Sequence, residues 1–128
     1  MIAGIGLDVV DVARVRDLIA SRGERPLRRL FTESERQYCQ AKAAPELHYA
    51  ARLAAKEAAF KALSGTASAQ AIGWREIEVR VDERGRPEVL LHERASKRAE
   101  ELAVARVWVS LTHDRTIASA MVVLEVDT

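Results

Sequence analysis

The N-terminal run IAGIGLDVV, residues 2–10, is the segment that most restricts how this chain can fold. It is apolar and carries two glycines two positions apart, Gly4 and Gly6. This pattern predicts a strand whose backbone is approached closely by a neighbouring element. Asp8 interrupts the run, and a buried carboxylate is costly unless it is paired or bound to a metal ion. Asp8 is therefore either a structural group, acting as a helix cap or salt-bridge partner, or a ligand.

A long helix is predicted over residues 46–63. Pro45 suits the first turn of a helix, and Gly65 is a typical residue just beyond the last turn. The segment is rich in alanine, which has high helix propensity and lets other backbones pack closely. Its charged residues after the first turn are Arg52, Lys56, Glu57 and Lys61.

The order of elements predicts an α+β fold with a largely antiparallel sheet packed with a long central helix. We expect one domain over residues 1–128. The other predicted elements are a helix capped by Asp11 and ended by Gly23, a short helical turn from Pro26, a helix from a capping box at 32–35 to about Ala43, strands at 74–81 and 87–91 around a turn at 82–85, a helix at 93–104, and strands at 107–112 and 116–126.

Several classes of protein are disfavoured by composition. The single cysteine, Cys39, cannot form an internal disulfide, and a free thiol fits a reducing compartment. The N-terminal run lacks a basic segment and contains Asp8, and no stretch has transmembrane length, so we expect a cytoplasmic protein without a membrane segment. The net charge is only +1 and the basic stretch lacks interleaved aromatic residues, which disfavours nucleic-acid binding.

The central helix offers two interpretations of its charges. Glu57 and Lys61 are spaced i, i+4, which predicts a stabilising pair worth about 0.3–0.5 kcal/mol. Alternatively, Glu57 binds a metal ion beside cations that bind phosphate, with Arg52 and Lys56 forming a second i, i+4 pair. Mg²⁺ prefers one or two carboxylates together with phosphate oxygens and water. Asp8 and Glu57 would supply these carboxylates if the fold brings them together.

Two further features also have a structural and a functional interpretation. His113 follows a predicted strand at a turn, where it either supports the structure or contacts a phosphate or a water. Between Asp11 and Arg29 six arginines stand against three acidic residues. This basic segment is either a solvated helix face or a docking surface for an acidic partner. Motifs for phosphate loops, dinucleotide binding, zinc binding and nucleophilic serine catalysis are absent from the sequence.

Five segments, taken together, resemble a known family. GIGLDVVDVARV resembles the signature that opens the holo-acyl-carrier-protein synthases, the small bacterial 4′-phosphopantetheinyl transferases. ARLAAKEAAFKAL resembles the second signature of that family, and SLTHD followed by a small apolar strand resembles the third. FTESER and the hairpin with IGW, IEV and GRP match in order and spacing. The resemblance covers nearly the whole chain, and its weight comes from five motifs in the correct order.

The resemblance implies a fold, a reaction and an assembly. The 4′-phosphopantetheinyl transferase fold would carry Mg²⁺-dependent transfer of the 4′-phosphopantetheine arm of coenzyme A to a serine of apo-acyl carrier protein. The second product would be adenosine 3′,5′-bisphosphate, and the reaction would support fatty-acid synthesis and extend to polyketide carriers. It also implies a homotrimer with active sites between subunits.

The resemblance further implies roles for individual residues. Asp8 and Glu57 would bind Mg²⁺, and Lys61 would contact the phosphates. Other contacts with coenzyme A would come from Arg52 and His113 around its phosphates and from Gly85 and Pro87 near its adenine end. The docking surface for the carrier protein would contain Arg14, Arg22 and Arg25.

Which group accepts the proton of the carrier serine stays open at this stage. Glu57 would serve directly, or a metal-bound water would relay the proton. Asp114, next to His113, is a third carboxylate that would act as base or outer ligand, or simply form a turn. A competing hypothesis for the whole chain is a binding module for carrier proteins or nucleotides that has the same fold and no catalytic activity.

Overall fold

The computed structural model describes residues 1–128. It contains five strands, six α-helices and one 3₁₀ turn. None of the helices combines the length and hydropathy needed to cross a bilayer. In chain order the elements are β1 (Ile2–Asp11), α1 (Val12–Arg22), α2 (Glu24–Leu30), α3 (Glu33–Gln40), α4 (Pro45–Leu63), α5 (Ala67–Gln70), the 3₁₀ turn (Trp74–Glu76), β2 (Ile77–Val81), β3 (Pro87–Leu91), α6 (Glu93–Glu101), β4 (Val104–His113) and β5 (Ile117–Val126).

The strands form two antiparallel units. The three long strands make one sheet in the order β1–β5–β4, and β2 and β3 form a separate hairpin. Helix α4, 19 residues long, lies across one face of the sheet and packs chiefly on β1 and β5. The predicted α+β fold with a largely antiparallel sheet and a long central helix is confirmed.

Strand β1 and helix α4 are in backbone contact at the two glycines. A Cβ atom at Gly6 would lie 1.8 Å from the carbonyl oxygen of Ala58, and one at Gly4 would lie 2.3 Å from that of Ala62. Real Cβ atoms essentially never come within 3.0 Å of such a neighbour. The close approach predicted from the spacing of these glycines is therefore confirmed, and it places β1 directly on α4.

Helix α4 is buried on nearly every side, which explains its alanine content. A helix that is apolar all round belongs in a core rather than on a surface. Small side chains let the sheet, α1, α3 and the hairpin all pack against this one helix. Its fully or almost fully buried alanines are Ala50, Ala51, Ala54, Ala55, Ala58, Ala59 and Ala62.

A buried ion pair joins α3, α4 and β2. The Lys56 ammonium lies 2.8 Å from the Glu35 carboxylate, and neither side chain is exposed. Lys56 also donates to the carbonyl oxygens of Trp74 and Ile77, while Glu35 accepts from the backbone N–H of Val79. Lys56 therefore points into the core. The interpretation considered from the sequence, in which Lys56 and Arg52 are both phosphate-binding cations, is wrong for Lys56.

Loss of one partner of this ion pair is expected to be strongly destabilising. Lys56→Met would leave the Glu35 carboxylate buried without its counter-charge, at a cost of about 3–5 kcal/mol of unfolding free energy. Urea unfolding measures this cost. A double variant, Lys56→Met with Glu35→Leu, should recover part of the loss because no charge stays buried. A double variant less stable than Lys56→Met would contradict this account.

The chain before β2 departs from the predicted strand. Residues Trp74–Glu76 form a 3₁₀ turn, so the strand begins at Ile77 rather than at residue 74. The Glu76 carboxylate accepts from the backbone N–H of Gly73 at 2.7 Å and pairs with the Arg94 guanidinium. These bonds bend the backbone locally and override the alternating pattern of the sequence.

Several other details of the helices also differ from the predictions. Helix α6 ends at Glu101 rather than at residue 104, because Ala103 adopts the left-handed conformation, with φ of 58°, and turns the chain into β4. Helix α3 ends at Gln40, and the short helix α5 was not predicted. Asp11 occupies the N-cap position of α1, but its side chain makes no capping hydrogen bond.

Candidate functional site

Two carboxylates meet where β1 crosses α4. Gly6 sits against Ala58, so Asp8, two residues further along the strand on the same face, comes next to Glu57. The Lys61 ammonium, one helical turn after Glu57, donates to Asp8 Oδ1 at 2.8 Å and to the carbonyl oxygen of Leu7 at 2.9 Å. The close approach of strand and helix therefore assembles Asp8, Glu57 and Lys61 from residues about 50 positions apart.

The two carboxylates differ in their electrostatics. Burial and the neighbouring Asp8 raise the pKa of Glu57 to about 7. Burial also opposes ionisation of Asp8, but Glu57 and the Lys61 ammonium more than offset it and lower the pKa of Asp8. Asp8 Oδ2 is buried and has no hydrogen-bond partner. The crossing of β1 and α4 thus concentrates negative charge that the Lys61 ammonium alone does not neutralise.

Glu57 should give the metal-free protein a stability that falls as pH rises. Its folded pKa of about 7 lies above its ordinary value of 4.5, so between these values the folded state holds a proton that the unfolded state has lost. The contribution of Glu57 to the free energy of unfolding is fully present below pH 4.5. It is lost as pH rises to about 7, which lowers the free energy of unfolding by on the order of 1–3 kcal/mol. Urea unfolding at several pH values in a chelator measures the slope. Glu57→Gln should flatten it, and an unchanged slope in that variant would contradict the assignment.

The donor set fits a Mg²⁺ ion. Mg²⁺ is bound in proteins by one or two carboxylates, with substrate phosphates and water completing its shell. Asp8 and Glu57 are such a pair, and the unpartnered Asp8 Oδ2 is an oxygen free to coordinate. The chain contains no group of three or more His, Cys, Asp or Glu residues placed to hold a metal ion, so a metal ion here would have only Asp8 and Glu57 as carboxylate ligands.

Glu57 does not pair with Lys61 as the helix spacing alone had suggested. Lys61 contacts Asp8 instead, and the charged partner of Glu57 is Arg14 of α1, whose guanidinium lies 4.0 Å away. Arg14 is well exposed, with 66% of its side chain accessible. One residue of the predicted docking surface therefore borders the carboxylate pair.

A second part of the site is a cavity of about 340 Å³ beside α4. Four residues singled out in the sequence line it, namely Arg52, Gly85, Pro87 and His113. The guanidinium of Arg52 stacks 4.0 Å from the ring centroid of Tyr38, and its Nε is buried without a partner. The resemblance assigns Arg52 and His113 to the phosphates of coenzyme A, and Gly85 and Pro87 to its adenine end. The structure places all four residues around this one cavity.

Two lining residues of this cavity, Tyr38 and His48, were missed from the sequence. His48 lies one turn before Arg52 on α4, and the ring of His48 packs 5.3 Å from that of His113. The i, i+4 spacing of His48 and Arg52 was the available signal. Tyr38 gave none, because its place beside Arg52 depends on how α3 packs against α4.

The carboxylate pair and the cavity lie on the same face of the sheet. In the strand register, Asp8 is opposite Ala120, which is opposite Leu111, and His113 is two residues further along β4. Two strand spacings and two residues correspond to roughly 12 Å between Cα atoms of Asp8 and His113. This distance suits an extended ligand with anionic groups at separate points.

Asp114 is engaged in its own turn. Its Oδ1 accepts hydrogen bonds from the backbone N–H groups of Thr116 and Ile117 and from the Thr116 hydroxyl. The backbone bonds from Ile117 and Thr116 lower the pKa of Asp114. A carboxylate that is held ionised by three donors is a poor proton acceptor, so the structure favours the turn-forming interpretation of Asp114.

The other two residues of the predicted docking surface lie near the α1–α2 junction. Arg22 and Arg25 line a surface cavity of about 610 Å³ together with Pro26 and Arg29. No acidic side chain lines it. The arrangement concentrates positive charge at the α1–α2 junction, and Arg14 belongs to the same helix α1 as Arg22.

The match to a family model defines the class of protein. The model of the 4′-phosphopantetheinyl transferase superfamily matches residues 4–119, a range that contains both carboxylates, Lys61 and the lining of the 340 Å³ cavity. The chain therefore belongs to the 4′-phosphopantetheinyl transferase superfamily.

Similar proteins narrow this class to a family of enzymes. Holo-[acyl-carrier-protein] synthase of Geobacter sulfurreducens is 45% identical over 98% of both chains. The crystal structure of the Neisseria meningitidis holo-[acyl-carrier-protein] synthase is 31% identical, with a TM-score of 0.85 over 98% of this chain and 99% of that one. A Bacillus anthracis holo-(acyl-carrier-protein) synthase in complex with CoA (3′,5′-ADP) is also 31% identical, with a TM-score of 0.79 over 99% of each chain. Within the superfamily, the chain belongs to the holo-[acyl-carrier-protein] synthases.

Proposed function

We propose that this protein transfers the 4′-phosphopantetheine arm of coenzyme A to a serine of apo-acyl carrier protein in a Mg²⁺-dependent reaction that releases adenosine 3′,5′-bisphosphate. The reaction would serve fatty-acid synthesis and, with suitable carriers, polyketide synthesis. The observation that carries the proposal is the pairing of Asp8 and Glu57, with Lys61 bonded to Asp8. The coenzyme A complex of the Bacillus anthracis relative supports the choice of substrate.

In this proposal Asp8 and Glu57 hold Mg²⁺ and Lys61 lies beside the pyrophosphate. When bound there, the ion supplies positive charge against the charge that develops on the phosphate oxygens. Lys61, with 56% of its side chain exposed, can move from Asp8 to a phosphate oxygen. The three side chains thus orient the pyrophosphate for attack at its β-phosphorus.

The proton balance of the transfer involves the carrier serine and Glu57. The serine oxygen forms a bond to the β-phosphorus while the bond to the bridging oxygen breaks, and adenosine 3′,5′-bisphosphate leaves with the α-phosphate. The serine proton must be taken up. Glu57 would accept it directly, or a water molecule would relay it.

The cavity lined by Arg52 and His113 would bind phosphate groups of coenzyme A. The buried, unpartnered Nε of Arg52 and the absence of acidic side chains from the lining support an anion there. Gly85 and Pro87, at the hairpin turn, would contact the adenine end. We also propose that Arg14, Arg22 and Arg25 dock the acidic carrier, which would bring its serine to the carboxylates that Arg14 borders.

Release of adenosine 3′,5′-bisphosphate distinguishes this proposal from a binding module. Coenzyme A, Mg²⁺ and an apo-acyl carrier protein should yield this nucleotide, detected by chromatography, only when all three are present with the enzyme. A carrier whose serine is replaced by alanine is the control and should give none. Binding of carrier or coenzyme A without nucleotide release at any Mg²⁺ concentration would favour the binding module.

The outer face of the sheet supports the proposal of a homotrimer. Apolar side chains of all three strands are left exposed on the face away from α4, an arrangement typical of interaction surfaces. Its members across the middle of the sheet are Ile5, Leu7, Val9, Trp108, Ile117 and Met121, each 41–57% exposed. We propose that this surface, which we call the outer sheet face, packs in the trimer, and that each chain is a single domain over residues 1–128.

A charge at the centre of the outer sheet face is expected to dissociate the trimer. Met121 lies on the central strand β5 and is 41% exposed. Met121→Glu would bury a carboxylate without a partner at the interface and should yield monomers in light scattering after gel filtration. Met121→Leu is the matched control and should stay trimeric. A monomeric wild-type protein, or a trimer that survives Met121→Glu, would contradict the assignment of this interface.

We also propose a cytoplasmic location for this protein. The free thiol of Cys39 is buried, and burial raises its pKa to about 12. Such a thiol is unreactive and compatible with a reducing compartment.

A further inference from the structure

His48 is placed to act on the ligand of the 340 Å³ cavity. It lies one turn before Arg52 on α4, and both residues line the cavity together with His113 of β4. The rings of His48 and His113 meet edge to face, with centroids 5.3 Å apart and planes at 69°. The two imidazoles and the guanidinium therefore form one wall of the cavity.

The charged groups around His48 are mostly cationic. Lys42, which follows α3, and Arg52 of the same helix are positive, and His113 of β4 faces it directly. Glu46, two residues earlier on α4, is the acidic group that acts on it. The ring centroid of Tyr38, on α3, lies 6.0 Å from that of His48. No carboxylate lines the cavity itself.

We propose that His48 is a further substrate-binding residue, which takes up a proton when a phosphate of coenzyme A enters this cavity, so that coenzyme A binds more tightly as pH falls. This inference rests on the proposed function, because it assigns a phosphate of coenzyme A to the cavity. It adds His48 to the binding residues and gives the affinity a dependence on pH.

The direction of this effect follows from the surroundings of His48. Partial burial and the adjacent His113 lower the pKa of His48, so that the ligand-free protein holds a neutral imidazole at pH 7. A phosphate anion in the cavity would stabilise the protonated form and raise its pKa. Coenzyme A affinity should then increase as pH falls through the bound-state pKa and level off below the ligand-free pKa.

Calorimetric titration with coenzyme A at pH 5.5 and 7.5 tests the inference. From pH 7.5 to 5.5, the dissociation constant of the wild-type protein should decrease by a factor at least about threefold larger than that of His48→Gln. This variant keeps a polar side chain but cannot titrate. His113 and the phosphate groups of coenzyme A are present in both proteins, so the difference between the two proteins reports the substitution of His48. His92→Gln is the control, because His92 pairs with Glu78 and does not line the cavity.

Proton uptake gives an independent measurement. Titration at pH 6.5 in buffers of different ionisation enthalpy should show fewer protons bound per coenzyme A in His48→Gln than in the wild-type protein and in His92→Gln. Equal uptake and equal pH dependence in all three proteins would overturn the role of His48 while leaving the proposed function intact. A wild-type protein that binds no coenzyme A at either pH would overturn both.

Discussion

Asp8→Asn and Glu57→Gln are each expected to lower the rate of carrier modification by about 10³-fold or more, because a bound cation contributes several kcal/mol to such a transition state. Both substitutions keep the shape of the side chain and remove the negative charge that binds the ion. The loss should appear in the maximal rate at saturating coenzyme A, and added Mg²⁺ should restore little of it.

The two carboxylates should also behave as one unit. Because they would hold a single ion, the double variant Asp8→Asn/Glu57→Gln should be hardly less active than either single variant. Glu100→Gln, at an exposed position of α6, is a matched control and should retain full activity. Near-normal turnover in either single variant, or additive losses in the double variant, would contradict a shared metal site.

Gly6→Ala is expected to be among the most damaging substitutions for stability. The added Cβ would lie 1.8 Å from the carbonyl oxygen of Ala58, and that neighbour is backbone in the middle of α4, which cannot rotate aside. Overpacking costs about 1–3 kcal/mol when side chains can adjust and more when they cannot, so we expect a loss of about 3 kcal/mol or more in urea unfolding. The same displacement would move Asp8 away from Glu57, so transfer activity should fall even in the fraction that folds.

Gly23→Ala separates steric conflict from backbone strain. Gly23 has a φ of 67°, but nothing lies within 4 Å of a Cβ added there. Its substitution should therefore cost only backbone strain, about 1–3 kcal/mol, because φ of 67° with ψ of −138° is a conformation that residues other than glycine rarely adopt, and activity should stay intact in the folded protein. If Gly6→Ala proved no more destabilising than Gly23→Ala, the close contact of β1 with α4 would not be the constraint described above.

The sequence predicted the framework of the site because strong local signals specify it. The spacing of Gly4 and Gly6 indicated the close approach to another backbone, and Pro45 and Gly65 bounded α4 correctly. That Asp8 and Glu57 belong together was implied by the family resemblance, since no local pattern relates residues 49 positions apart. The glycines then give the physical reason for the pairing, because they let β1 lie directly on α4.

The errors fall where tertiary contacts decide the outcome. A helix buried on nearly every side has no continuous polar face, so the spacing of Arg52, Lys56 and Lys61 does not reveal which cation points into the core. Lys56 does so because Glu35 of α3 and the backbone before β2 surround its ammonium group. His48 was missed for a related reason, since its partner His113 belongs to a strand 65 residues away.

The intact mass of an acyl carrier protein most directly tests the central claim, that Asp8 and Glu57 support transfer of the 4′-phosphopantetheine arm. Apo-carrier incubated with coenzyme A, Mg²⁺ and this protein should gain the mass of one 4′-phosphopantetheine group on its serine. The gain should vanish in excess chelator, return when Mg²⁺ is restored, and be almost undetectable with Glu57→Gln over the same period. An unmodified carrier with the wild-type protein, or an equal gain with Glu57→Gln, would contradict it.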